Sequence, residues 1–223
     1  MRVATLAGAA LAVGFLLMEL AVPRFGPCCR LNANESTAIA TLKNLSSAQS
    51  QLQASGALDC DEDGTGEYGF FAELAGAVPM RATRGPRAGA RLEPPVMSRA
   101  FGTVVHGCVR RSGYVFQLCL RSVDGGWVPE APCGGGIDAS VDVDRAEREW
   151  ICYAWPIEHG RTGRRAFVIT HGGDVLACNM ASELYSGRFG PPLGVAAFTV
   201  GAAGWTLAVN TTDLRGNVWV VVS

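Results

Sequence analysis

"NESTAIATLKNLSSAQSQLQASG", residues 34–56, decides the fold. Ala38, Ile39, Leu42, Leu45, Ala48 and Leu52 recur at helical spacing, while Lys43, Asn44, Ser47, Gln49 and Ser50 take the other faces. Asn34 suits an N-cap, Glu35 stands in the first turn and Gly56 lies just past the end, so the spacing predicts a helix over 34–54. The apolar stripe is narrow and alanine-rich. Such a helix needs a sheet to lie on.

The chain beyond it supplies one. "GYVFQLCLRS" (113–122) and "WICYAWPI" (150–157) are rich in aromatic and β-branched residues and are bounded by turn signals. "RRAFVITHGGDVLACN" (164–179) reads as two short strands around His171-Gly172-Gly173-Asp174. "GWTLAVN" and "VWVVVS" flank "TTDLRG" in the same manner near the end. Residues 81–95 and 123–144, rich in glycine and proline, read as loops. The expectation is an α+β domain over 34–223: a long amphipathic helix packed on an antiparallel β-sheet.

Before the helix, Met1-Arg2 lead into "VATLAGAALAVGFLLMELAV" (3–22), which has the single charge Glu19 and is closed by Pro23. Such a run matches the thickness of a bilayer core, and no small-residue cleavage signature ends it. Residues 1–23 are therefore expected to form an uncleaved transmembrane anchor, and 24–33 a junction. The net charge is −1 and the cations are scattered, which argues against nucleic acid as a partner. Eight cysteines behind an export segment make disulfides plausible; their alternative is service as small buried hydrophobes, as at Cys119 and Cys152. Without a C-x-x-C pair and with three histidines, a zinc cluster is poorly supported.

"GFLLMEL" (14–20) resembles the processing motif of type IV pilins and pseudopilins, with Gly14, Phe15 and Glu19 at the family's spacing. "NESTAIATLKNLSSAQSQLQ" is similar to that family's helix. Together with "DEDGTGEYGFF", "GYVFQ", "CYAWP" and "GRRAFVITHGGDVLACN", these stretches look like a group of pilin-like, membrane-anchored bacterial proteins of undefined role. The resemblance implies a pilin-like fold, a single pass through the bacterial cytoplasmic membrane, the main domain outside the cytoplasm, and filament assembly or another protein partner. Half of the apolar run precedes Gly14, so cleavage there would leave too short a segment to span a membrane.

The acidic stretch "LDCDEDGTGEYGFF" (58–71) places Asp59, Asp61 and Asp63 on alternate positions ahead of Gly64. Calcium takes six to eight hard oxygens, and an Asp-x-Asp-x-Asp-Gly run lets alternate carboxylates converge. The expected ligands are Asp59, Asp61, Asp63, the Thr65 carbonyl and Glu67, with a distant residue closing the site. The alternative is a solvated acidic turn. No nucleophile–base, zinc or phosphate-loop motif stands out, so no catalytic residue is assigned. His106, His159 and His171 read as turn histidines, Trp127 as a loop contact for a glycan or protein, and the other four tryptophans as packing residues. The reading is an exported, membrane-tethered structural or interaction protein without catalytic activity. The alternatives are a secreted or tethered hydrolase and a glycan-binding module.

Overall fold

The structure is a computed structural model that describes residues 27–81, 88–136, 140–188, 190, 192, 194–201 and 204–222. The chain divides into two compact units, 1–30 and 31–223. Of the first, only 27–30 are described: one helical turn whose Cys28, Cys29 and Arg30 are exposed. The apolar run and the Gly14, Phe15 and Glu19 motif lie outside the described residues. Among those described, no helix is long and apolar enough to cross a membrane.

Helix α1 runs Pro27–Ser55. As described it runs from Pro27, seven residues before the predicted start at 34. Asn34 is therefore inside the helix and caps nothing. Its Nδ2 instead donates to the Thr162 carbonyl at 2.9 Å. Glu35 is not in a first turn either; it is buried, accepts from the Arg164 and Arg165 amides and pairs with Arg165 Nε at 2.8 Å. The other end falls where expected, with Gly56 at φ +56° just past the last turn.

Eight residues of β2 (Tyr114–Arg121) and seven of β4 (Trp150–Pro156) are the two longest strands of a seven-stranded antiparallel sheet. β5 (Ala166–Thr170), β6 (Val175–Cys178) and β9 (Trp219–Val221) follow β4 outward in that order. On the other side β1 (Val109–Arg111) and β3 (Trp127–Pro129) share one edge of β2, the first along Tyr114–Phe116 and the second along Cys119–Arg121. β7 (Phe198–Gly201) and β8 (Gly204–Leu207) pair antiparallel in a separate two-stranded sheet. Two four-residue helices complete the described elements, α2 (Phe71–Leu74) and α3 (Val143–Ala146), with a 3-10 turn at Arg99–Gly102. The domain is α+β, as expected.

The central strands are buried on both faces, so they read as continuous apolar runs and not as alternating ones. Phe116, Leu118, Leu120, Cys152, Ala154, Phe167 and Ile169 face a core that they share with Ala38, Leu42, Leu45, Ala48 and Leu52 of α1. Val115, Cys119, Ile151, Tyr153, Trp155 and Val168 face a second core, closed by Met180, Tyr185, Ala196, Ala197, Ala208 and Trp219. The predicted helical stripe thus lies on the predicted sheet. Two side chains depart from expectation. Gln49, assigned to an outer face of the helix, is fully buried, and Trp205, assigned to packing, is 52% exposed on β8.

All eight cysteines are free thiols. Cys119, Cys152 and Cys178 are buried, and desolvation pushes the Cys119 thiol up to about 12, so these three fill space as apolar side chains.

Candidate metal site at the acidic loop

The acidic loop hangs between the end of α1 and α2, and its base is closed twice. Glu67 N donates to the Leu58 carbonyl at 2.8 Å, and Tyr68 N donates to the Ala146 carbonyl at the end of α3 at 2.9 Å. Gln53 of α1 also donates to the Glu147 carbonyl. A side chain at Gly66 would collide with the Gln53 carbonyl, so a glycine there lets the loop lie against the last turn of α1. These contacts bring three parts of the chain to one place: helix end, loop and the α3 turn.

Within the loop, backbone amides aim the carboxylates. Asp59 accepts from Glu62 N at 2.7 Å and from Gly64 N at 3.1 Å. Asp61 accepts from Asp63 N at 3.3 Å, and Asp63 from Thr65 N at 2.7 Å. Glu62 sits at φ +64°, which completes the tight reversal. Short acidic side chains that bond backbone two to five residues on are the usual way such a loop holds itself.

Carboxylate oxygens of Asp59, Asp61 and Asp63 lie within 4.8 Å of one another. A second group within the same limit joins Asp61 to Asp144 of α3 and to Glu147 just after it. Asp61 belongs to both. Glu147 has an Oε1 that is buried without a hydrogen-bond partner, and burial, then the charges of Asp63, Asp61 and Asp144, push its pKa up. The donor set fits a hard divalent cation: anionic oxygens from two chain segments, with no histidine or thiolate in either group. Asp144 and Glu147 lie about 80 residues along the chain from the loop, and no spacing rule would have selected them.

Glu67 is placed otherwise. It is 1% exposed and turned inward, with Oε1 accepting from Cys60 N at 2.6 Å and Oε2 buried without a partner. It is not grouped with the three aspartates. Burial raises its pKa. Two further glutamates that the sequence did not single out lie beyond it. Glu73 of α2 is fully buried, accepts from Phe70 N and Arg81 N, and pairs with Arg81 Nε at 3.6 Å. Glu130 is 2% exposed and accepts from Phe71 N, Ala72 N and Gly135 N at 2.9–3.2 Å, which ties α2 to the loop after β3. Burial pushes its pKa up to about 7 despite those three donors. Their only sequence signal is an acid three residues after Phe70, at the capping position of a short helix.

Trp127 lies in strand β3 and not in a loop. It is half-buried, its ring tilted by 34° to that of Phe198 at 6.0 Å between centroids, with the Arg121 guanidinium 4.8 Å above it. His106, His159 and His171 are all exposed turn residues. No family model matches this chain, and neither a curated protein nor a solved structure matches it.

Proposed function

We propose that this chain is an exported, membrane-tethered structural or interaction protein of pilin- or pseudopilin-like architecture, carrying a calcium-stabilised acidic loop. The observation that supports this reading is α1: a 29-residue helix, following an apolar N-terminal run in the sequence, that lays Leu42, Leu45 and Leu52 on an antiparallel sheet. That is the arrangement the pilin resemblance implies. The domain faces the outside of a bacterial cytoplasmic membrane, where calcium is plentiful and protein partners or filament neighbours are met.

In this role the acidic loop is structural. A bound calcium would neutralise the repulsion among Asp59, Asp61, Asp63, Asp144 and Glu147. The chain's own residues hold the loop against α1 and α3 through Gly66, Tyr68 and Gln53, so the cation's effect is to stiffen the end of the long helix.

Fractionation and mass spectrometry of the full chain in a bacterial host test the tethering. The expected result is a membrane-bound chain with residues 1–23 intact, whose main domain is digested by protease added to spheroplasts. A mature N-terminus at Phe15 would replace this by pilin-type processing. Recovery of the intact chain from the cytosol would overturn the reading.

A further inference from the structure

The second face of the sheet carries a cavity that no part of the proposed role uses. Arg110, Val115 and Trp155 stand opposite one another on β1, β2 and β4, forming one row across three strands. Val115 and the Trp155 indole form its floor, and Gln117, two residues along β2, stands on the same face. The indole is fixed, because Nε1 donates to the Gly187 carbonyl at 2.8 Å while Gly187 N donates to the Pro156 carbonyl at 3.0 Å. Arg188 follows at the rim.

The opposite rim is a two-residue hairpin turn. Val105 and Cys108 exchange both backbone hydrogen bonds, at 2.9 and 3.2 Å, with His106 at φ +54° and Gly107 at φ +72° between them. Two consecutive positive φ values make a type I′ turn. It folds back so that His106 and Cys108 line the same cavity. The Cys108 thiol is pushed up to about 11 by burial, so it stays protonated and serves as a wall and not as a nucleophile.

The chemistry of this lining is asymmetric. The floor is apolar and planar, and among the described residues no carboxylate lines the cavity. Among the described residues, neither Arg110 nor Arg188 has an ion pair, and the Gln117 amide has no hydrogen-bond partner. Two guanidiniums and an amide over an aromatic floor match a planar anion, since a guanidinium fork meets a carboxylate through two parallel hydrogen bonds. The volume, about 190 Å³, is below the roughly 300–1,000 Å³ of ordinary small-molecule sites and admits one compact group.

We propose that this cavity is a binding site for a carboxylate carried on a compact apolar body. A free acid and the last residue of a peptide present the same group. Benzoate, its uncharged counterpart benzamide, and the tripeptide Gly-Gly-Phe with a free C-terminus separate the cases in calorimetric titrations of the full chain.

Benzoate is expected to bind at least about tenfold more tightly than benzamide, by the strength of charge-assisted hydrogen bonds. Arg110→Ala and Arg188→Ala should each weaken benzoate about tenfold. Both side chains are exposed, so both variants should melt with the parent. Gly-Gly-Phe displacing benzoate assigns a chain end as the natural ligand, and its failure to compete assigns a free acid. Equal binding of benzoate and benzamide, absence of benzoate binding, or unchanged benzoate affinity in the doubly substituted chain would overturn the site.

Discussion

Gln49 holds the backbone of Gly69 at both of its polar groups. Its Nε2 donates to the Gly69 carbonyl at 2.8 Å and its Oε1 accepts from Gly69 N at 3.0 Å, with the whole side chain buried. One amide thus replaces two rungs of a β-ladder and fixes the segment after the acidic loop to the C-terminal third of α1. Gln49→Leu removes both partners while leaving both backbone groups buried. The expected loss is about 2–4 kcal/mol, from the cost of two unsatisfied polar groups. Urea unfolding measures it, and a loss under about 0.5 kcal/mol, the usual range of a surface change, would mean the clamp is dispensable.

The stripe of α1 makes a second prediction. Leu45 is fully buried in the core shared with the sheet. Leu45→Asp places an unpaired charge there and is expected to cost about 3 kcal/mol or more. Thermal melting reads this directly, and an unchanged midpoint would show the stripe facing solvent.

Calcium should raise the melting temperature. A site of this kind falls in the roughly 0.1–1 mM range, so about 5 mM calcium stabilises by about 1–2 kcal/mol. Because Asp61 belongs to both acidic groups, Asp61→Ala should abolish the calcium response, whereas Asp63→Ala and Glu147→Gln should each only reduce it. Glu67→Gln should leave it in place, since that carboxylate is bonded to Cys60 N. A parent chain with no melting shift and no heat of binding at several millimolar would mark the loop as an acidic turn alone.

Glu130 sets a pH dependence. Its pKa is raised from 4.5 to about 7 by burial, so the folded state holds its proton more tightly than the unfolded chain does. The stability this contributes is fully present below about pH 4.5 and is lost as pH rises to about 7; the shift is worth about 3 kcal/mol. Glu67 and Glu73 are shifted in the same direction and add to the slope. Glu130→Gln should flatten the melting temperature between pH 4.5 and 7, while lowering it throughout because an amide cannot accept from all of Phe71, Ala72 and Gly135. A parent chain equally stable at both pH values would contradict this.

Much of this architecture was legible in residue patterns, and the misses share a cause. The stripe Ala38–Leu52, the apolar runs of β2 and β4 and the His171–Asp174 hairpin were legible because burial imposes a local period. Gln49, Glu73 and Glu130 break that period and are buried all the same. Gln49 and Glu130 satisfy backbone groups from distant segments and Glu73 those of Phe70 and Arg81, and a polar letter does not say what it will bond. β1 and β3 are three residues each, too short for any period to register. At the acidic loop, spacing identified three converging aspartates but could not supply Asp144 and Glu147, which arrive through the pairing of Tyr68 with Ala146.

The bonds from α1 to the turn between β4 and β5 have a mechanical consequence. Asn34 and Glu35 hold Thr162, Arg164 and Arg165 from adjacent positions of the helix, so a pull on the helix loads several of these bonds together and not one after another. Tension entering through the N-terminal end of the helix would pass into the β4–β5 turn, and from there into the two central strands of the sheet, before it reaches the middle of α1. In single-molecule stretching, Glu35→Gln should therefore lower the force at first rupture more than it lowers equilibrium stability.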